Sequence, residues 1–167
     1  RTEQQAQTMF PFTLDDSFEL TLPHKTDGEI MESMRRALVK KRARNIRCVG
    51  NRIGFRGGQF RAVGRGNPLS PITNGTVTIA RQVGDVVKVR YHLTFWELFL
   101  TATVIIALFF GPFIAQHFPS TPHEKMFMLL GMWSWMYGGN LVITRIQFPW
   151  FLENAIAPVS RPGKRTS

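Results

Sequence analysis

The chain has 167 residues, 44% of them hydrophobic, with 21 Lys and Arg against 11 Asp and Glu and a formal net charge of +10. That length holds one small soluble domain at most beside any membrane segment, and the single Cys48 excludes an intramolecular disulfide framework. A mean hydropathy of -0.08 conceals a polar, basic first half and an apolar second half.

Residues 1–16 read as a flexible lead-in, rich in Gln and Thr. They lack the basic start and long apolar core of a secretory signal. Met9, Phe10 and Phe12 around Pro11 form an aromatic cluster that serves equally to dock on a partner or to pack on its own domain.

Residues 17–94 read as a small α+β domain, an antiparallel sheet with one covering helix. Residues 17–22 alternate Phe18, Leu20 and Leu22 with polar neighbours, the period of a half-buried strand. Thr26-Asp27-Gly28-Glu29 spells a capping box. The helix it opens places Ile30, Met34, Ala37 and Leu38 on one face, with Arg35, Arg36, Lys40 and Lys41 elsewhere and Asn45 as its stop. Residues 46–49 and 52–56 are expected to pair across Gly50-Asn51. A further strand is expected over 59–63, then a loop over 64–74 marked by Gly64, Gly66, Pro68 and Pro71. A last hairpin, 76–80 with 86–91, turns at Gly84-Asp85 and aligns Val77, Ile79, Val87, Val89 and Tyr91.

Residues 95–146 are expected to form a two-helix transmembrane hairpin, with spans near 96–117 and 126–145 and a connector over 118–125. Neither 98–117 nor 126–144 contains Asp, Glu, Lys or Arg. About twenty helical residues cover the ~30 Å hydrocarbon core, and helices satisfy their own backbone polar groups there. The other home for such a hairpin is the core of a soluble protein, and this chain leaves little to bury it against. Pro112 removes a backbone donor and is expected to kink the first helix after Gly111. Thr103, Ala107, Gly111 and Ala115 form one small-residue stripe, and Gly131, Ser134 and Gly138 another, suited to helix packing in lipid. Phe109, Phe110, Phe113, Trp133 and Trp135 give the remaining surface a bulky aromatic character suited to contact with another membrane protein. Glu97 and Arg145 close the two spans on the same side, where they either pair or snorkel to water.

Residues 147–167 read as an interfacial aromatic segment, Phe148-Pro149-Trp150-Phe151, followed by a basic tail with Arg161, Lys164 and Arg165. Charge placement orients the hairpin. Residues 1–97 carry sixteen Lys and Arg against nine Asp and Glu, and the tail from Arg145 carries four against Glu153. Both termini are therefore expected in the cytoplasm with the connector outside.

No zinc spacing, phosphate-binding glycine loop or nucleophile–base signature occurs. His24, His92, His117 and His123 read as solvated loop or surface groups, and no cofactor or metal is expected. No intramembrane carboxylate or Lys marks an ion path. Arg52, Arg56, Arg61 and Arg65, interleaved with Phe55 and Phe60, could stack and bind RNA. The tight link to a membrane helix instead favours anionic lipid, worth ~1 kcal/mol per nearby cation, or an acidic protein partner.

The run Gly54-Phe55-Arg56-Gly57-Gly58-Gln59-Phe60-Arg61, followed by a strand hairpin that enters an apolar helix, resembles a group of uncharacterised bacterial two-helix membrane proteins with a small cytoplasmic α+β domain. That resemblance implies an architecture and a place in a bacterial inner membrane, and no activity. Size, basic charge and the aromatic hairpin are also similar to those of accessory subunits of photosynthetic or respiratory complexes. The expected function is thus a non-catalytic accessory subunit docking on a larger membrane complex, such as a reaction centre with its antenna. The alternative is a free-standing membrane protein whose basic domain binds anionic lipid or RNA. A third, a small transporter or enzyme built by oligomerising the hairpin, finds few polar groups for its pathway.

Overall fold

The computed structural model describes residues 12–22, 25–57, 67–82, 85–118 and 121–157. Five strands, β1 (Thr13–Thr21), β2 (Arg44–Val49), β3 (Arg52–Arg56), β4 (Asn74–Arg81) and β5 (Val86–Thr94), form one antiparallel sheet in the order β1-β5-β4-β3-β2. Helix α1 (Asp27–Lys40) links β1 to β2, which lie at opposite edges, so it crosses one face of the sheet. The fold is α+β. The strand expected over residues 59–63 lies outside the described residues.

Local chemistry accounts for the elements. The Thr26 hydroxyl accepts from the Glu29 N–H at 3.3 Å and the Glu29 carboxylate from the Thr26 N–H at 2.8 Å, the reciprocal capping box the motif dictates. The Thr26 N–H and hydroxyl, both within donating distance of that carboxylate, hold the Glu29 carboxyl below its ordinary pKa. Gly50 takes φ +56 at the β2–β3 turn, where a side chain would be strained. Strand β1 starts at Thr13, inside the segment read as a lead-in. Leu14 packs on the core, and the Phe95 N–H donates to the Phe12 carbonyl at 2.8 Å. The pair Asp15-Asp16 breaks the alternation there, and pairing along the whole of β5 supplies what local pattern does not.

The core lies on one sheet face. Ile53, Phe55, Val77, Ile79, Val87, Val89, Tyr91 and Leu93 meet Ile30, Met31, Met34 and Leu38 of α1. Each such side chain contributes ~1.5–3 kcal/mol through removal from water. A second helix shares this face. Helix α4 (Pro122–Ile156) is continuous for 35 residues, and Phe148, Phe151, Leu152 and Ile156 of its final turns are buried in the same core. Phe148 stacks on Phe55 at 6.1 Å and meets Tyr91 edge-on at 5.1 Å. Residues 148–151, read as an interfacial anchor, are thus largely core. Their spacing of three and four residues makes a stripe that fits the sheet, and among the four Trp150 faces out with 68% exposure. Lys25 donates from Nζ to the Ile156 carbonyl, a cation at a helix C-terminus.

Helix α4 also begins earlier than charge counting implied. Thr121 and Glu124 form a second capping box with Pro122 in the first turn. The opposing helix runs as α2 (Trp96–Ile105), a π-helical turn over Ile106–Phe110, and α3 (Gly111–His117). In the π turn the Gly111 N–H bonds five residues back to Ile106. Pro112 lacks the donor that would serve the Leu108 carbonyl, so the distortion falls before Gly111 rather than after it. Trp96–His117 and Pro122–Ile156 are each long and apolar enough to cross a membrane.

Candidate interaction surfaces

The seam between the two long helices is aromatic. Leu98, Ala102, Ile106 and Ile114 are buried along the first helix. Phe99 meets Trp133 edge-on at 5.4 Å and Tyr137 at 5.7 Å, and Trp133 stacks on Tyr137 at 5.1 Å. Trp133 also donates from Nε1 to Thr103 Oγ1 at 3.1 Å, so it closes the hairpin rather than facing a partner. Thr101 and Thr103 return their hydroxyls to the carbonyls of Glu97 and Phe99, the self-satisfaction an apolar medium requires.

The small-residue stripes enter this seam in part, Thr103 through the Trp133 bond and Gly131 through the groove it lines with Phe110 and Ile114. Thr103, Ala107, Ala115, Gly131 and Ser134 are exposed, while Gly111 and Gly138 are half-buried. A Cβ added at Gly131 or Gly138 would meet nothing within 4 Å. At the sheet end of the seam the space between the helices is filled by the aromatic stack of Phe99, Trp133 and Tyr137.

The outward surface is apolar and bulky. Trp135 is 84% exposed, Phe109 69% and Phe113 50%. Phe110 is half-buried and, with Gly131 and Met132, lines two adjoining apolar grooves of about 360 and 550 Å³. Contiguous apolar surface on this scale marks a lipid or protein interface. Just 6% of the most apolar part of α4 is buried within the chain, unlike the core helix of a soluble protein.

The other face of the sheet is polar and basic. Paired strand residues share a face, so Arg47, Arg52, Arg56, Lys88, Arg90 and His92 look outward together. Lys88 lies 3.6 Å from Glu19, and His92 Nδ1 2.5 Å from Asp15. Arg56 bonds Glu97 at 2.6 Å, so the Glu97–Arg145 pair weighed from sequence is replaced by one across the domain–helix junction. That contact joins the sheet to the first turn of α2, where the chain order alone offered Arg145 as the neighbour. Phe55 lies on the buried face with 4% exposure, which removes it from any base-stacking platform. Arg61, Arg65 and Phe60 lie outside the described residues.

The Tyr91 hydroxyl is buried without a hydrogen-bond partner at bonding geometry. Burial, reinforced by the Asp16 carboxylate and opposed by Arg145, pushes its pKa well above the ordinary tyrosine value. Among the described residues no three His, Cys, Asp or Glu side chains gather as metal ligands, and Cys48 is exposed. Comparison with known protein families, with curated proteins and with solved structures returns no match.

Proposed function

We propose that the chain is an integral membrane protein of the bacterial inner membrane, a two-helix hairpin with its sheet domain seated on the cytoplasmic surface. It acts as a non-catalytic accessory subunit that docks on a larger membrane complex. The observation that carries this reading is the form of α4. Its first part is exposed and apolar, while its last turns belong to the domain core. Anything that grips the hairpin therefore fixes the domain as well, a geometry suited to clamping a neighbour at the membrane surface. Trp135, Phe109 and Phe113 present the contact surface within the membrane. The architectural likeness to accessory subunits makes photosynthetic and respiratory assemblies the first hosts to test.

Extraction in mild detergent followed by native electrophoresis tests the proposal. The protein should migrate with one large assembly at fixed stoichiometry, and Trp135→Ala with Phe109→Ala should release it. Migration of the wild type as a monomer would sink the docking role. The exposed arginines of the sheet favour a second reading, a free-standing protein that holds anionic ligands there. It expects that monomer.

A further inference from the structure

The outer face of the sheet carries a hollow that the docking role does not use. In β3, Arg52, Gly54 and Arg56 point outward while Ile53 and Phe55 are buried. Register sets what surrounds Gly54: Arg47 of β2 stands opposite it on one side and Thr76 of β4 on the other. A bulge between Arg44 and Arg47, with Asn45 at φ 50, brings Arg44 opposite Arg56. Four arginines from two neighbouring strands thus share one face. The missing side chain leaves a depression of about 310 Å³ edged by Arg47, Arg56, Asn45, Asn74 and Thr76. A Cβ built on Gly54 meets nothing within 4 Å, so no part of the described chain fills it.

The charge there is unbalanced. Among the described residues, Glu97 on Arg56 is the one carboxylate paired with any of the four arginines. Arg52 turns Nη2 toward Thr76 Oγ1 at 3.5 Å. Like charges opposite each other across a sheet cost stability, and an anion seated among them relieves it. Guanidinium forks with hydroxyl and amide donors match the several oxygens of a phosphate. Gly54 lies two strand residues, about 7 Å, beyond Arg56, which is tied to the first turn of α2. If that helix crosses the membrane as proposed above, the hollow sits at the depth of lipid headgroups.

We propose that the Gly54 hollow is a binding site for a phosphate group, carried on a lipid headgroup or free in solution. The headgroup source rests on the hairpin crossing the membrane; the phosphate chemistry does not. Full-length protein in neutral detergent is titrated with short-chain phosphatidylglycerol, inorganic phosphate and single-stranded RNA, and binding is read by tryptophan fluorescence. Saturable binding of the lipid is expected, at least tenfold weaker in Gly54→Val and Arg47→Gln, with circular dichroism and unfolding midpoint unchanged. Saturable binding of inorganic phosphate as tight as the lipid, with the same losses, assigns the site to free phosphate. Equal binding by wild type and a folded variant overturns the proposal. So does the lack of saturable binding by either phosphate ligand, and so does saturable binding of RNA alone. Alkaline extraction of membranes separates the two ideas: release of the wild type defeats the hairpin and with it the headgroup source, whatever the phosphate titration reads.

Discussion

The two ends of α4 are built from similar residues and meet opposite fates. Near its start Phe127 and Trp135 are 68% and 84% exposed; near its end Phe148 and Phe151 are 0% and 9% exposed. Aromatic content does not separate them. The difference lies in whether the rest of the chain offers a complementary surface. The sheet offers one to the last turns, through Phe55 and Tyr91, whereas the first turns have a single helix beside them. An apolar residue left open on that side is covered by nothing among the described residues.

The sharpest way to break this comparison is to truncate one aromatic at each end. Phe148→Ala should cost ~3–5 kcal/mol in denaturant unfolding, the range for a buried aromatic that leaves a cavity. Trp135→Ala should change unfolding by less than ~0.5 kcal/mol and, under the docking role proposed above, act on complex migration instead. Equal costs would mean that the two ends are not differently engaged.

The sheet repeats the contrast in its glycines. A Cβ on Gly75 would lie 2.2 Å from the Phe55 ring, its direct cross-strand partner, while one on Gly54 meets open space. Gly75→Ala should destabilise by ~1–3 kcal/mol through overpacking, measured by the shift in unfolding midpoint. Gly54→Val should leave that midpoint in place.

A smaller effect tests where α4 begins. Thr121→Ala removes the cap and should cost about 1 kcal/mol, with helical circular dichroism falling from the connector end while the domain core keeps its fluorescence. The smallest concerns the buried, unpartnered Tyr91 hydroxyl. Tyr91→Phe should be neutral or stabilising by less than ~1 kcal/mol. It should also flatten the alkaline limb of the stability profile. Because the folded-state pKa is raised, the unfolded chain loses this proton first. The stability tied to the neutral phenol is therefore complete below about pH 10 and declines above it. An alkaline limb unchanged by the substitution would assign that decline to other groups.

Much of this was legible in the residues. The capping box at Thr26 and Glu29, the turn at Gly50 and the alternation in β4 and β5 are local signals, and local geometry obeyed them. Thr121 and Glu124 carry the same capping signal ahead of the uncharged run, and the helix starts there. The stripes of small residues were legible too, yet most of their members stay exposed. Periodicity identifies a face, and the stacking of Phe99, Trp133 and Tyr137 chose a different one. The arginine hollow stayed hidden because it depends on register: Gly54, Arg47 and Thr76 come from three strands.

The helical hairpin with which the second half of the chain began as an expectation keeps its two long apolar helices. Composition alone determined that two runs long enough to span hydrocarbon exist, because a run without charges can be counted; it did not determine their ends, since α4 extends over Pro122–Ile156. Which side chains they show to the outside was decided by tertiary structure. The sheet captured the last turns of α4, and Arg56 captured Glu97 before Arg145 could. Those outcomes turn on which surfaces meet in space, and contact between distant residues is not encoded in any single stretch of sequence.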